Sequence, residues 1–205
     1  MKKYSFFTAK NVATLAVLLA LVMVLQAFGG SFSIGAITLN FTLIPLVLGA
    51  IVLGPIAGAV LGFAGGFVIL IQVITAGGGL YQIMWTNSPI ITTLICLVKT
   101  TAAGFVAGLV FNILTKKKKN TYVAIFVASG LVPIINTGLF ILGCLCMWDT
   151  MAIAASGSGH NVFMFIIVVL VTANFFVELA INLLVSPALH TVYRAVEKQF
   201  SKKRR

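Results

Sequence analysis

The sequence predicts an all-α membrane protein: six transmembrane helices, both termini cytoplasmic, in one integral membrane domain. Three observations carry that expectation. Of the 205 residues, 60% are hydrophobic and only 8% are charged, against about 25% charged in an average soluble domain. The apolar runs are long and lack the alternation of barrel strands, and a lone helix satisfies its own backbone groups in lipid. Lysine and arginine gather in alternate connections, as the positive-inside rule requires. Mean hydropathy is +1.15.

The first span covers about 11–28. Its MKK start resembles a secretory leader, but no A-x-A site follows, so it reads as a mature helix. Ala9, Ala13, Ala16 and Ala20 make a small-residue stripe along it. The second span, about 41–54, is short and begins around Pro45. Pro55 separates it from the third, about 56–75, with almost no loop. That third span opens with GPIAGAVLGFAGG, in which Gly54, Gly58, Gly62 and Gly66 recur every fourth residue. Each glycine in a helix interior costs about 1 kcal/mol against alanine, so the face must touch something closely. Packing within the chain and docking of another membrane subunit both fit.

The fourth span, about 89–114, carries Lys99 about ten residues from its start, roughly 15 Å deep at 1.5 Å per residue. Gly104 and Gly108 lie further along it. The fifth covers about 121–147 and contains Asn136. The sixth covers about 161–186, with Asn174, Glu178 and Asn182 on one face at i, i+4, i+8. Residues 187–205 read as a basic cytoplasmic tail. The connections 29–40, 76–88 and 148–160 hold no lysine or arginine, whereas Lys116 to Lys119 follow the fourth span. Charge therefore places both termini and the KKKK connection in the cytoplasm.

The net charge of +11 fits basic flanks that orient spans and meet anionic lipid, and nucleic acid is excluded as a partner. There is no Walker A motif, so nucleotide hydrolysis has to come from elsewhere. With three acidic residues and two histidines, most enzyme chemistry lacks its reagents. No cofactor or metal site is expected. Cys96, Cys144 and Cys146 sit in apolar spans and read as small buried side chains.

Polar groups inside a membrane are costly and invite a function. Lys99 either snorkels to an interface, pairs structurally, or meets an anionic or hydrogen-bonding ligand. Glu178 is the only carboxylate within a span. The 76–88 connection, AGGGLYQIMWTNS, offers a mobile glycine backbone with Tyr81, Gln82, Trp85 and Asn87 as a stacking and hydrogen-bonding surface. An interfacial aromatic belt is the competing account.

Over nearly its full length the chain resembles the substrate-binding S components of energy-coupling factor (ECF) transporters, the vitamin-uptake type. The resemblance rests on six spans with both ends inside, the alanine stripe of the first span and the basic connection and tail. Its most recognisable stretch is LNFTLIPLVLGAIVLGPIAGAVLGFAGG, a short apolar helix breaking at Gly-Pro into a glycine-rich one. The resemblance implies a plasma-membrane subunit that captures a vitamin or related micronutrient outside the cell. A transmembrane coupling subunit and two cytoplasmic ATPases then drive uptake. It also implies a docking face on the first three spans, here Ala13, Ala16, Ala20, Gly54, Gly58, Gly62 and Gly66. Such proteins are thought to topple in the membrane to deliver cargo. The substrate candidates by placement and chemistry are Asn40, Tyr81, Gln82, Trp85, Asn87, Lys99, Asn136, Asn174 and Glu178. Lys99 favours a carboxylate or electron-rich carbonyl, as in pantothenate, folate or a flavin. The rival readings are an intramembrane enzyme using Glu178, His160 or Asp149, and a structural membrane subunit without ligand.

Overall fold

The computed structural model describes residues 8–29, 33–34, 37–38, 41–75, 79–116, 120–156 and 158–202. Nine α-helices are described: α1 (Ala9–Gly29), α2 (Leu43–Leu53), α3 (Pro55–Thr75), α4 (Gly79–Asn87), α5 (Pro89–Lys116), α6 (Thr121–Cys146), α7 (Trp148–Ala155), α8 (Val162–Met164) and α9 (Ala173–Lys202). A π-helical stretch, Phe165–Thr172, joins α8 to α9. A minimal antiparallel hairpin, β1 (Ser33–Ile34) with β2 (Ile37–Thr38), lies between α1 and α2.

Among the described residues, five helices are long and apolar enough to cross a membrane: those within 9–28, 55–75, 89–116, 121–146 and 174–198. The second predicted span is different. α2 has 11 residues, about 17 Å of helix against roughly 30 Å of hydrocarbon. It is a short core helix. Leu43, Leu46, Val47 and Ala50 are buried, packed with Ala103, Ala107 and Phe111 of α5 and Ile125, Ala128 and Val132 of α6. It ends at Gly54, whose φ of 100° is open to glycine and strained for other residues. Pro55 then starts α3, where a missing N–H costs nothing.

Contacts between helices fix their directions. Gln72 Nε2 on α3 donates to the carbonyls of Gln26 at 3.1 Å and Ala27 at 3.2 Å, and Gly65 faces Val22 lower down, so α1 and α3 run parallel. Gly58 meets Gly104, Gly62 meets Thr100, and Gly66 meets Cys96, so α3 and α5 run antiparallel. Gly143 lies on Ile95, so α6 reverses again. Gly130 faces Leu183, and Tyr122 meets His190 edge-on at 5.4 Å, so α9 reverses once more. The described chain therefore begins and ends at one end of the bundle. Lys10, Lys116, Arg194 and Lys198 gather there. The hairpin, α4 and α7 occupy the other end, which carries no lysine or arginine among the described residues.

The glycine face of α3 is the most consequential correction to the sequence reading. Gly58, Gly62 and Gly66 are buried against α5 backbone of the same chain. They serve close internal packing, and none presents a surface to a partner. Gly54 acts as the break between α2 and α3. By contrast, Ala9, Ala13, Ala16 and Ala20 of α1 are exposed, while Leu18 and Val22 on its other face pack onto Leu61.

Two expected connections are largely helical: most of 76–88 is α4 and much of 148–160 is α7. Both are too short to have stood out by periodicity. Ser88 and Thr150 join them through hydroxyls 2.8 Å apart. The expected basic tail is helical through Lys202, continuing α9 past Pro187. The Ser186 hydroxyl donates to the Leu183 carbonyl at 2.7 Å, which the proline leaves without its usual N–H donor.

Candidate functional site

Lys99 is 7% exposed, one turn along α5 from Ile95 and Cys96 on the buried side of that helix. A buried ammonium needs partners. Its Nζ stands 5.0 Å from the Phe140 ring centroid, a cation–π contact supplied by α6. Tyr81 of α4 and the Glu178 carboxyl of α9 lie within electrostatic reach, the carboxyl without a direct ion pair. The cation is thus aromatic-flanked and not neutralised at contact distance.

The surroundings are apolar and pliable. Met84, Cys144, Met147, Met151, Ile95 and Ile166 form one buried cluster, with Tyr81, Phe140 and Ile141 against it. Trp85 and Tyr81 also pack on Ile69, Val73 and Cys96. Methionine side chains adapt to irregular shapes. A buried charge beside an aromatic and methionine-rich cluster, under two short helices, suits a compact ligand with one anionic or carbonyl end.

The predicted site residues divide sharply. Lys99, Tyr81 and Trp85 come together. Gln82 and Asn87 are exposed on α4, and the Asn87 amide donates to the Ile83 carbonyl of its own helix at 2.9 Å. Asn40 lies outside the described residues. Asn136 and Glu178 are buried deeper in the bundle, toward the basic end; Asn174 is half-buried on α9. Asp149 and His160 are exposed, and no group of three His, Cys, Asp or Glu that could hold a metal occurs among the described residues.

Sequence reasoning missed Phe140, one phenylalanine among 16. Helices joined by a tight turn pair as reflections about that turn, and reflecting Lys99 through the KKKK connection lands on Asn136, a full turn short of Phe140. The surface groove at the opposite end, lined by His190, Thr191, Arg194, Ala195 and Lys198, is open and cationic, and is separate from this cluster.

No curated protein matches the chain. A model of the family described as "ECF transporter, substrate-specific component" matches residues 10–190, a range that takes in α1, the α3–α5 pair, Lys99 and the cluster beneath α4 and α7. The chain, a polytopic helical bundle with a buried lysine among its described residues, matches the family model over most of its length and belongs to the substrate-specific components of ECF transporters.

Proposed function

We propose that the chain captures a vitamin-like solute carrying a carboxylate or electron-rich carbonyl, and that Lys99 holds that end. The single observation behind this is the buried Lys99 ammonium against Phe140 and Tyr81, without a carboxylate at contact distance. Trp85 and Tyr81 would cover the ring or chain of the solute. Gln82 and Asn87 are assigned to entry at the rim.

The end bearing α4 and α7 faces outside the cell and the basic end faces the cytoplasm in this proposal, because lysine and arginine favour the cytoplasmic side. Family membership implies association with the other ECF module components. A transmembrane coupling subunit and two ATPases supply the power stroke. The exposed alanine face of α1 is the proposed docking surface: close approach of small residues is how helices adhere in lipid. Pantothenate, folate and flavins remain the solutes to try first.

The test is a thermal-stability panel on the purified chain with these compounds. A solute bound by the folded state alone raises the unfolding midpoint in proportion to RT ln(1 + [L]/Kd). One compound should shift the midpoint saturably, and the Lys99→Ala protein should need far more of it. A panel with no response, or an equal response in Lys99→Ala, overturns the role given to Lys99. Purification from membranes should also recover the coupling subunit and ATPases; full-rate transport by the chain alone would remove the shared motor.

A further inference from the structure

At the basic end of the bundle, α9 forms a groove that solute capture does not use. His190, Thr191, Arg194, Ala195 and Lys198 line a volume of about 410 Å³. His190, Arg194 and Lys198 follow one another at four-residue spacing, which makes them neighbours on one side of the helix. Arg194 and Lys198 are exposed, and neither they nor the exposed Glu197 beside them form an ion pair among the described residues. The His190 ring is held edge-on by Tyr122 at 5.4 Å, and its Nε2 is buried without a hydrogen-bond partner. Tyr122 lies in the first turn of α6, where the Asn120 side chain accepts its N–H at 3.0 Å. The positive end of that helix dipole therefore adjoins the groove. Two uncommitted cations, an unsatisfied imidazole nitrogen and a helix start all favour an anion there.

The helix above the groove narrows the choice of anion. Leu184, Pro187 and Ala188 each stand seven residues, about two turns, before Thr191, Arg194 and Ala195, so they continue the same side of α9. All three are exposed, Leu184 at 79%. From Leu184 to Arg194 is about 15 Å at 1.5 Å per residue, half of the roughly 30 Å hydrocarbon core. One leaflet's depth of bare apolar helix thus runs down into a cationic groove. The groove also sits in the plane of the other basic residues: Phe111 and Tyr193 meet at 5.3 Å, and with α5 and α9 parallel, Lys116 and Lys198, five residues further on in each, come level. A free anion needs only the groove, whereas a phospholipid uses both parts, phosphate below and acyl chain above.

We propose that this side of α9 binds one anionic phospholipid from the leaflet at the basic end, with Arg194 and Lys198 on its phosphate and Leu184, Pro187 and Ala188 against an acyl chain. The site is independent of Lys99, so its test uses no vitamin-like solute, and its failure leaves the solute reading intact. The unfolding midpoint of the purified full-length chain in neutral detergent is followed as phosphatidylglycerol, phosphatidylcholine or inorganic phosphate is added. Phosphatidylglycerol should raise the midpoint saturably, and the other two should do far less. Arg194→Gln should raise the half-saturating phosphatidylglycerol concentration about tenfold. Lys10→Gln removes the same charge at the same end, but from α1, which packs on α2 and α3, and should leave it unchanged. No response to phosphatidylglycerol, or an equal one to phosphatidylcholine, overturns the proposal. An equal response to inorganic phosphate makes the groove an ion site and overturns the lipid. Equal weakening in the two variants reduces the effect to diffuse attraction and also overturns it. So does an Arg194→Gln chain that keeps its full lipid response but no longer co-purifies with the coupling subunit, which would assign the groove to a protein.

Discussion

Lys99 concentrates the functional argument in one side chain. Hydrogen bonds to charged groups contribute about 1.5–3 kcal/mol, so Lys99→Ala should weaken solute binding about 10- to 150-fold, read by calorimetric titration. Tyr81→Phe removes only a hydroxyl beside that ammonium and should cost less, about tenfold or under. A larger loss from Tyr81→Phe than from Lys99→Ala would move the anchor onto α4. The structure buries Lys99, and its depth within the span was legible from sequence. Its partners were not. Phe140 is 41 positions away and one of many phenylalanines, and only the turn between α5 and α6 brings the two together. Gln82 and Asn87 show the converse: sequence placed them beside an aromatic pair, and the helical period of α4 turns them outward.

At the scale of elements, hydropathy located four of the five long helices to within a few residues, since a run of apolar side chains in lipid has one outcome; the last, expected over about 161–186, runs instead as α9 from Ala173 to Lys202. The short ones escaped. α4 and α7 owe their helicity to packing at the neutral end, through the Ser88–Thr150 hydroxyl contact and the methionine cluster, and nothing in nine or eight residues announces that in advance. Glycine spacing revealed that α3 touched something closely, but not what. α5 answers it with Gly104, Thr100 and Cys96, each one turn from the next. Gly58→Leu should therefore press on the Gly104 carbonyl and destabilise the chain by about 1–3 kcal/mol or more, reducing solute binding and complex assembly together. Ala20→Leu, on the exposed face of α1, should leave solute binding intact and reduce co-purification with the coupling subunit. Loss of assembly with full binding in Gly58→Leu would restore that face as a docking surface. The π-helical stretch before α9 makes a different prediction. Deleting one residue within 165–172 should rotate the chain beyond it by about 100°, taking Glu178 and Asn182 off the core. The unfolding midpoint should fall much further than for a deletion at the exposed Gly159.

The whole molecule has two unlike ends. One gathers Lys10, Lys116, Arg194 and Lys198 among its described residues; the other has neither lysine nor arginine. The sequence conveyed this through its connections, even though the helix count that accompanied it included α2, which is too short to span alone. The alternation survives because α2 still reverses the chain direction between α1 and α3. A consequence for motion follows. Each lysine or arginine moved to the centre of a bilayer costs about 2.5–3.5 kcal/mol. Four or more such residues hold the basic end at its interface, whereas the opposite end meets no such barrier. Any rocking of the bundle must therefore pivot about the basic end like a buoy on its mooring, with the solute site on the free arm. Weighting that arm should stall the swing: Ile153→Lys on exposed α7 should leave solute affinity unchanged and slow uptake in reconstituted complexes. Undiminished uptake would mean that the neutral end never enters the membrane.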